Sequence, residues 1–333
     1  MNVQFTEEQE MLRASARDFL EKECDENVIG TVEAGGLGYS PDLWRKITDL
    51  GWLGLVFPEQ YGGSGMNLVD LAVLYEEFGR AMFPSPYMST VVLGGMMVLE
   101  AGSDEQKSEI LPEIIEGNEI IVLALGKSES NRERTNLKPD NISVTATADG
   151  EDYLLEGVER FVHHATIATK FLVPAKTGSS SNPEENISLF LVDAGSPGIV
   201  TTRLATISAD NQCEVIFEKV RVPAGNIIGG LNGGWTPLER SLQIESVVLA
   251  SQMLGAGEHM LQASQEDFDT RLESGIDDDI KKYNEDYLAG LQRDIDDCRL
   301  AVYQAADKLA GGESIDFEAA IVKSWTEYAK QSA

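Results

Sequence analysis

The spacing of apolar residues changes period twice along this chain. From Thr6 onward, Leu12, Ala16, Phe19 and Leu20 fall on one helical face, and Thr6 with Gln9 has the form of a capping box. The stretch V-I-G-T-V-E-A-G-G-L-G-Y-S-P reads as a glycine-rich loop. Ser40-Pro41 then starts a helix with Leu43, Trp44, Ile47 and Leu50 on its face. G-W-L-G-L-V-F-P-E-Q-Y-G-G-S-G is a turn-rich connector, with Trp52 and Phe57 expected in the core. Helical spacing returns over 68–79, where Phe78 is also expected in the core. Pro84 and Pro86 break it, and 87–100 and 104–115 read as two more helices.

At Ile120 the period drops to two. The runs I-I-V-L-A-L, I-S-V-T-A-T-A, Y-L-L-E-G, T-K-F-L-V-P-A, I-S-L-F-L-V-D and V-I-F-E-K-V-R-V read as strands, with a hairpin signal at Asp149-Gly150. They are spaced as in a sandwich or barrel, not as in βαβ units. A strand ending at Pro223, a Gly/Asn-rich turn and a helix opening near Thr236-Pro237 restore the helical period. Leu288, Leu291, Ile295, Cys298 and Tyr303 mark a long helix, and 317–328 the start of another. The order predicts an α+β protein: an all-α region over 1–118, a β region over 119–233 and a helical region over 234–333.

On the helix after Pro237, Leu238, Leu242, Glu245 and Leu249 form one stripe. A carboxylate in an apolar stripe is costly without a partner or a task. Composition narrows what that task can be. The 333 residues carry 56 Asp and Glu against 26 Lys and Arg, a net charge of -30, which argues against nucleic acid or an anionic membrane as a broad-surface partner. Cys24, Cys213 and Cys298 are scattered, with no metal or redox spacing, as in a reduced, cytoplasmic compartment. No signal peptide and no membrane-spanning run is apparent. The G-G-S-G at 62–65 lacks the strand-and-helix context of a phosphate cradle and reads as a connector. The run Asp277-Asp278-Asp279 reads as a solvated face, because a calcium loop spaces its ligands.

The chain resembles the acyl-CoA dehydrogenase family over essentially its whole length. The resemblance rests on F-T-E-E-Q-E-M-L-R near the start, L-G-W-L-G-L-V-F-P-E-Q-Y-G-G-S-G-M at 50–66 and L-Y-E-E-F-G-R at 74–80. It continues with S-L-F-L-V-D-A-G-S-P-G-I at 188–199 and F-E-K-V-R-V-P-A-G-N-I-I-G at 217–229. It implies an N-terminal helical domain, a middle β domain and a C-terminal helical bundle, with FAD, an acyl-CoA thioester and a tetramer. Electron-transfer flavoprotein or a similar acceptor is the implied redox partner.

Oxidising an acyl thioester takes a proton from the α carbon and a hydride from the β carbon. The proton needs a positioned carboxylate in a water-poor setting. The developing enolate oxygen needs hydrogen bonds, and the flavin supplies the redox chemistry. In the family the base lies in the last helices or on the first helix of the C-terminal domain. The chain ends at Ala333, before the first of these places, so the resemblance supports Glu245, in Ile244-Glu245-Ser246, as the base. The plainer reading of Glu245 is a carboxylate paired with Arg240 or facing solvent at a kink.

The flavin motifs depart from the family pattern. Gly126 replaces a threonine, Lys127 a glutamate and Ser128 a proline; Phe161-Val162-His163 replaces tryptophan-x-serine/threonine; R-L-E-S-G keeps Arg271 and Gly275 but has Ser274 for a phenylalanine. Phe161 retains a ring that can stack, His163 or His164 a donor, and Arg271 a diphosphate contact. The plainer readings are a polar loop for the histidines and a solvated helix-end arginine. Short family subunits with eroded flavin sites work in heteromers, on bulky acyl groups such as steroid side chains or aromatic acids. The resemblance therefore implies a subunit of a heterotetramer, or of a homo-oligomer, that dehydrogenates an acyl-CoA. The alternatives are a non-catalytic partner chain and non-redox acyl-CoA chemistry.

Overall fold

A computed structural model describes residues 5–126, 137–206, 211–275, 277–313 and 315. Its elements run α1 (Glu7–Glu23), α2 (Glu26–Gly35), α3 (Pro41–Asp49), α4 (Leu68–Arg80), a π-helical segment Met88–Gly95, α5 (Met96–Ala101) and α6 (Asp104–Ile115). Strands follow: β1 (Ile121–Leu123), β2 (Thr145–Asp149), β3 (Asp152–His163), β4 (Lys170–Lys176), β5 (Ile187–Asp193), β6 (Ile199–Arg203), β7 (Gln212–Pro223) and β8 (Ile227–Ile228). The helices α7 (Trp235–Glu273) and α8 (Asp278–Ala310) complete the described chain. This is the helical, β, helical order of the sequence pattern. The predicted helix over 317–328, together with Lys127 and Ser128, lies outside the described residues.

The helix starts follow from local chemistry. Thr6 and Gln9 exchange hydrogen bonds across the first turn of α1, and Asn67 with Asp70 and Ser103 with Gln106 do the same for α4 and α6. Ser40 caps α3 with Pro41 at its first position. The side chain of Asp277 accepts from the Asp279 amide at the start of α8, so the acidic run is a helix start. One expectation fails: much of the glycine-rich stretch after Asn27 belongs to α2, which has a single buried residue, Val32. Glycine lowers helix propensity without forbidding a helix.

The described chain divides into two units. One comprises Met1–Ile29, Asn67–Phe83 and Ser246–Ala333. There α4 carries a buried acidic pair, Glu76 and Glu77, each 1% exposed. Arg13 of α1 donates to Glu76 at 2.9 Å, and Arg17 grips Glu77 through Nε and Nη2 at 2.9 and 2.6 Å. From α8, Tyr303 donates to Glu76 at 2.6 Å and Arg299 lies at 3.4 Å, Arg299 also pairing with Glu258 of α7. Backbones touch where α4 meets α7: a β-carbon on Gly79 would sit 1.7 Å from the Gln252 carbonyl, and one on Gly255 1.7 Å from the Glu76 carbonyl.

The other unit comprises Gly30–Met66 and Pro84–Glu245. Its strands form one connected sheet, ordered β6-β7-β3-β2-β4-β5-β8, with β1 added parallel to β4. β3 and β7 are the long antiparallel pair. The connector around G-G-S-G packs on itself. A β-carbon on Gly63 would meet the Phe57 carbonyl at 2.0 Å, and the amides of Ser64, Gly65 and Met66 all donate to backbone carbonyls. Those amides are therefore not turned toward a phosphate. Trp52 and Phe57 are core residues here, and Phe78 is one in the first unit.

Candidate functional site

β3 carries two of the sequence candidates, and its geometry is irregular where they lie. Leu155 and Glu159 face inward, fully buried or nearly so. Regular alternation would turn Phe161 inward as well. Instead the pairing with β7 shifts between Arg160↔Glu214 and Val162↔Cys213, leaving Phe161 as the extra residue of a bulge. Val162 takes the inward position, and Phe161 stands outward with 36% of its surface exposed. Its φ is +61°, a conformation that costs an aromatic residue roughly 1–2 kcal/mol.

Gly126 is packed into that bulge. Its amide donates to the Glu159 carboxylate at 2.8 Å, and the Ser143 hydroxyl, with one proton to give, reaches both the other carboxylate oxygen and, at 2.8 Å, the Val158 carbonyl. A β-carbon on Gly126 would lie 1.7 Å from the Arg160 carbonyl oxygen. The family's threonine cannot occupy this backbone. The glycine and the bulge fit each other.

His163 ends β3, half-buried and paired with Gln212, and its ring lies 6.4 Å from that of His164. His164 has φ +60°. Its Nδ1 is 3.2 Å from the Ser89 hydroxyl on the π-helical segment, and its amide donates to the Asn211 carbonyl at 2.8 Å. The Asn211 side-chain amide donates to the Leu37 carbonyl at 2.6 Å and to Thr166. The two histidines are thus held in an ordered turn.

Glu245 is half-buried on α7, with Ser241, Leu242, Ile244, Val247 and Val248 buried around it in sequence. The stripe read from the sequence is corrected at its far end: Leu249 is 39% exposed, and Ile244, Val248 and Ser251 carry the buried face. Arg240 lies 3.6 Å from Glu100. Burial raises the Glu100 carboxyl above the usual carboxylate range, with Arg240 partly opposing the rise.

Arg271 lies in the other unit, near the end of α7, exposed and paired with Asp267 at 2.8 Å one turn earlier. Gly275, retained from the R-x-x-F-G motif, has φ +80° just after that helix end. In the same unit, Phe5, Arg13, Phe268, Leu272, Leu288 and Arg299 help line an open cavity of about 1000 Å³. The structure therefore groups Phe161 with His163 and His164 on one turn of β structure and puts Arg271 in a salt bridge of its own helix.

Glu159 and Ser143 were not singled out from the sequence, and Gly126 was read there only as a departure from the family pattern. A signal was present: in L-E-G-V-E-R, the two-residue period places Glu159 on the same face as Leu155, a carboxylate on an inward stripe. Among the described residues no group of His, Cys, Asp and Glu is arranged to hold a metal, and no helix is long and apolar enough to cross a membrane.

Comparison with known proteins adds the family. The acyl-CoA dehydrogenase N-terminal domain model matches residues 6–118 and the middle domain model residues 124–220, together more than half of the chain. A 3-(aryl)acrylate reductase of Clostridium sporogenes is 28% identical over 96% of this chain and 84% of its own length. A caffeyl-CoA reductase–Etf complex subunit of Acetobacterium woodii is likewise 28% identical, over 96% of this chain and 84% of its own. The crystal structure of an acyl-CoA dehydrogenase from Geobacillus kaustophilus superimposes with a TM-score of 0.86 at 26% identity, covering 99% of this chain and 87% of that one.

Proposed function

Because this chain belongs to the acyl-CoA dehydrogenase family, whose members are FAD-dependent oxidoreductases of acyl-CoA CH–CH bonds, we propose that it works as one subunit of a heteromeric dehydrogenase with Glu245 as the base. The observation that carries the reading is the place of Glu245 on α7, half-buried among the buried Leu242, Ile244, Val247 and Val248. Partial burial keeps part of the side chain away from bulk water, and the helix holds it in a fixed place, as a base at a carbon acid requires. Glu245 takes the α proton of the acyl thioester and is left as the carboxylic acid.

The hydride acceptor would be supplied by FAD when it is bound. The fit of this chain to the flavin is one-sided. Phe161 offers an exposed ring for stacking, and His163 is next to it on β3. At position 126, however, the family's threonine hydroxyl is gone, the amide is committed to Glu159, and the space beside the glycine is filled by the Arg160 carbonyl. Arg271 is tied to Asp267 and would have to exchange that partner for a diphosphate. A related subunit completes the flavin site in this reading, in a heterotetramer served by electron-transfer flavoprotein or a similar acceptor. The relatives named for aryl acrylate and caffeyl-CoA favour an aromatic or other bulky acyl group. Buried cysteines, free thiols in all three cases, accord with a cytoplasmic setting. The functional division stays 1–118, 119–233 and 234–333.

The second reading is a non-catalytic partner chain, favoured by the committed amide of Gly126. Co-purification of the chain with its related subunit separates the two. Glu245→Gln abolishes turnover while flavin content is unchanged if Glu245 is the base; unchanged turnover assigns the base to the other subunit.

A further inference from the structure

We propose that Glu159 is a positioning residue that holds the Phe161 ring outward, toward the flavin, by pinning Gly126 into the β3 bulge. The inference rests on the reading that Phe161 meets the flavin.

Phe161 has two ways to lie. In a regular strand it would follow Glu159 onto the inward face, because side chains two apart share a face. The bulge inserts one residue and sends Arg160 and Phe161 outward together. That arrangement carries the strain of an aromatic residue at φ +61°, and strain of this kind persists only where the surroundings over-determine it. On one side the β7 ladder fixes the pairs Arg160↔Glu214 and Val162↔Cys213. On the other, Gly126 fills the groove beside the Arg160 carbonyl so closely that no β-carbon fits.

Gly126 needs an anchor to stay there, and Glu159 provides it. Glu159 is 5% exposed, and its carboxylate accepts the Gly126 amide at 2.8 Å. The Ser143 hydroxyl lies between the second carboxylate oxygen and the Val158 carbonyl and shares its one proton between these two acceptors, which places the strand before the bulge beside the clamp. A buried carboxyl group held at both oxygens has little freedom to leave. Arg160 adds an outer tie to Glu214 at 2.6 Å. Removing the carboxylate frees the amide, loosens residue 126 and lets Phe161 fall back toward the inward face.

The test uses the full chain, alone and co-purified with its related dehydrogenase subunit and FAD. Amide exchange at Gly126 is measured in Glu159→Gln, Glu159→Leu and Gly126→Ala, and the flavin absorption and fluorescence spectra in these and in Phe161→Ala. Glu159→Leu is expected to speed exchange at residue 126 by about tenfold or more, while Glu159→Gln, which still offers an acceptor, stays within a few-fold of the parent. Glu159→Leu and Gly126→Ala are expected to shift the flavin spectra in the direction that Phe161→Ala does, and Glu159→Gln to restore them. Gly126→Ala opens the bulge by a different route and keeps the test decisive if Glu159→Leu fails to fold. Unchanged exchange at residue 126 in Glu159→Leu overturns the anchor. Faster exchange with unmoved spectra, where Phe161→Ala does move them, overturns the positioning role alone. Spectra unmoved by Phe161→Ala overturn the contact between this ring and the flavin, and the positioning role with it.

Discussion

The Tyr303 hydroxyl donates a 2.6 Å hydrogen bond to the Glu76 carboxylate, joining residues 227 positions apart in sequence. Glu76 also receives Arg13 and Arg299, and its neighbour Glu77 receives Arg17. The carboxylates are therefore the centre of the helical unit's polar core, and the arginines and tyrosine are its replaceable arms. Glu76→Ala removes the buried acceptor shared by Arg13, Arg299 and Tyr303, leaving Arg13 to Glu77 and Arg299 to Glu258 and Asp296, and is expected to cost about 3 kcal/mol or more. Tyr303→Phe removes one donor and should cost about 1–3 kcal/mol. Urea denaturation gives both values; a Glu76→Ala cost at or below that of Tyr303→Phe would mean the network is not centred on the carboxylate.

Two glycines two residues apart on α7 should respond oppositely to the same change. A β-carbon on Gly255 meets the Glu76 carbonyl at 1.7 Å, whereas one on Gly257 meets nothing within 4 Å. Gly255→Ala must push two helix backbones apart and is expected to destabilise by about 1–3 kcal/mol or more. Gly257→Ala gains only helix propensity and should stabilise by about 0.5–1 kcal/mol. Thermal unfolding of the two variants checks the sign directly.

The buried thiols should be poorly reactive in the folded protein. Burial pushes the Cys24 thiol up to about 11 and, with the Glu76 charge adding to it, Cys298 up to about 12. The thiolate is the nucleophile, so near pH 8 only about one Cys24 in a thousand is reactive at a given moment. Iodoacetamide labelling of the folded chain is expected to be slower than in urea by about two orders of magnitude or more, and to quicken as pH rises toward those values. Labelling at equal rates in both states would show that the two sites open readily.

Glu100 gives a pH dependence with a definite sign. Its carboxyl is raised in the folded state, so the folded state favours the protonated form. The stabilisation this provides is fully present below the ordinary carboxylate value and is lost as pH rises through the raised one. Glu100→Gln has no such loss. The stability of Glu100→Gln relative to the parent should therefore increase between about pH 4 and pH 7. A difference that is flat with pH, or that falls, would show that the Arg240 contact outweighs the burial.

Much of the architecture was legible because it is written in local periods. Capping pairs such as Thr6 with Gln9 and Ser40 with Pro41 mark helix starts through bonds between residues a few positions apart, and they appear as read. The two-residue period of 212–223 is that of β7, and the apolar run of 187–193 is β5, buried at all but its last residue. The stretch after Asn27 misled because glycine content is a weak guide to where a helix stops, and α2 forms through it. Leu249 misled because a stripe on a helical wheel does not say which edge of it is covered, and that edge is exposed.

For the candidate site, sequence determined the residue types: a glutamate in an apolar stretch of α7, an aromatic and two histidines at the end of β3, and a glycine where the family has threonine. Tertiary structure decided what those residues face. Whether Phe161 points in or out depends on one inserted residue in the ladder between β3 and β7, whose partners lie more than fifty positions away. Whether position 126 can carry a side chain depends on the Arg160 carbonyl, and whether Glu159 is tolerable in the interior depends on Gly126 and Ser143. A strand's period is set by its own backbone, but a bulge is set by what lies on either side of it, and so only the folded chain fixes it.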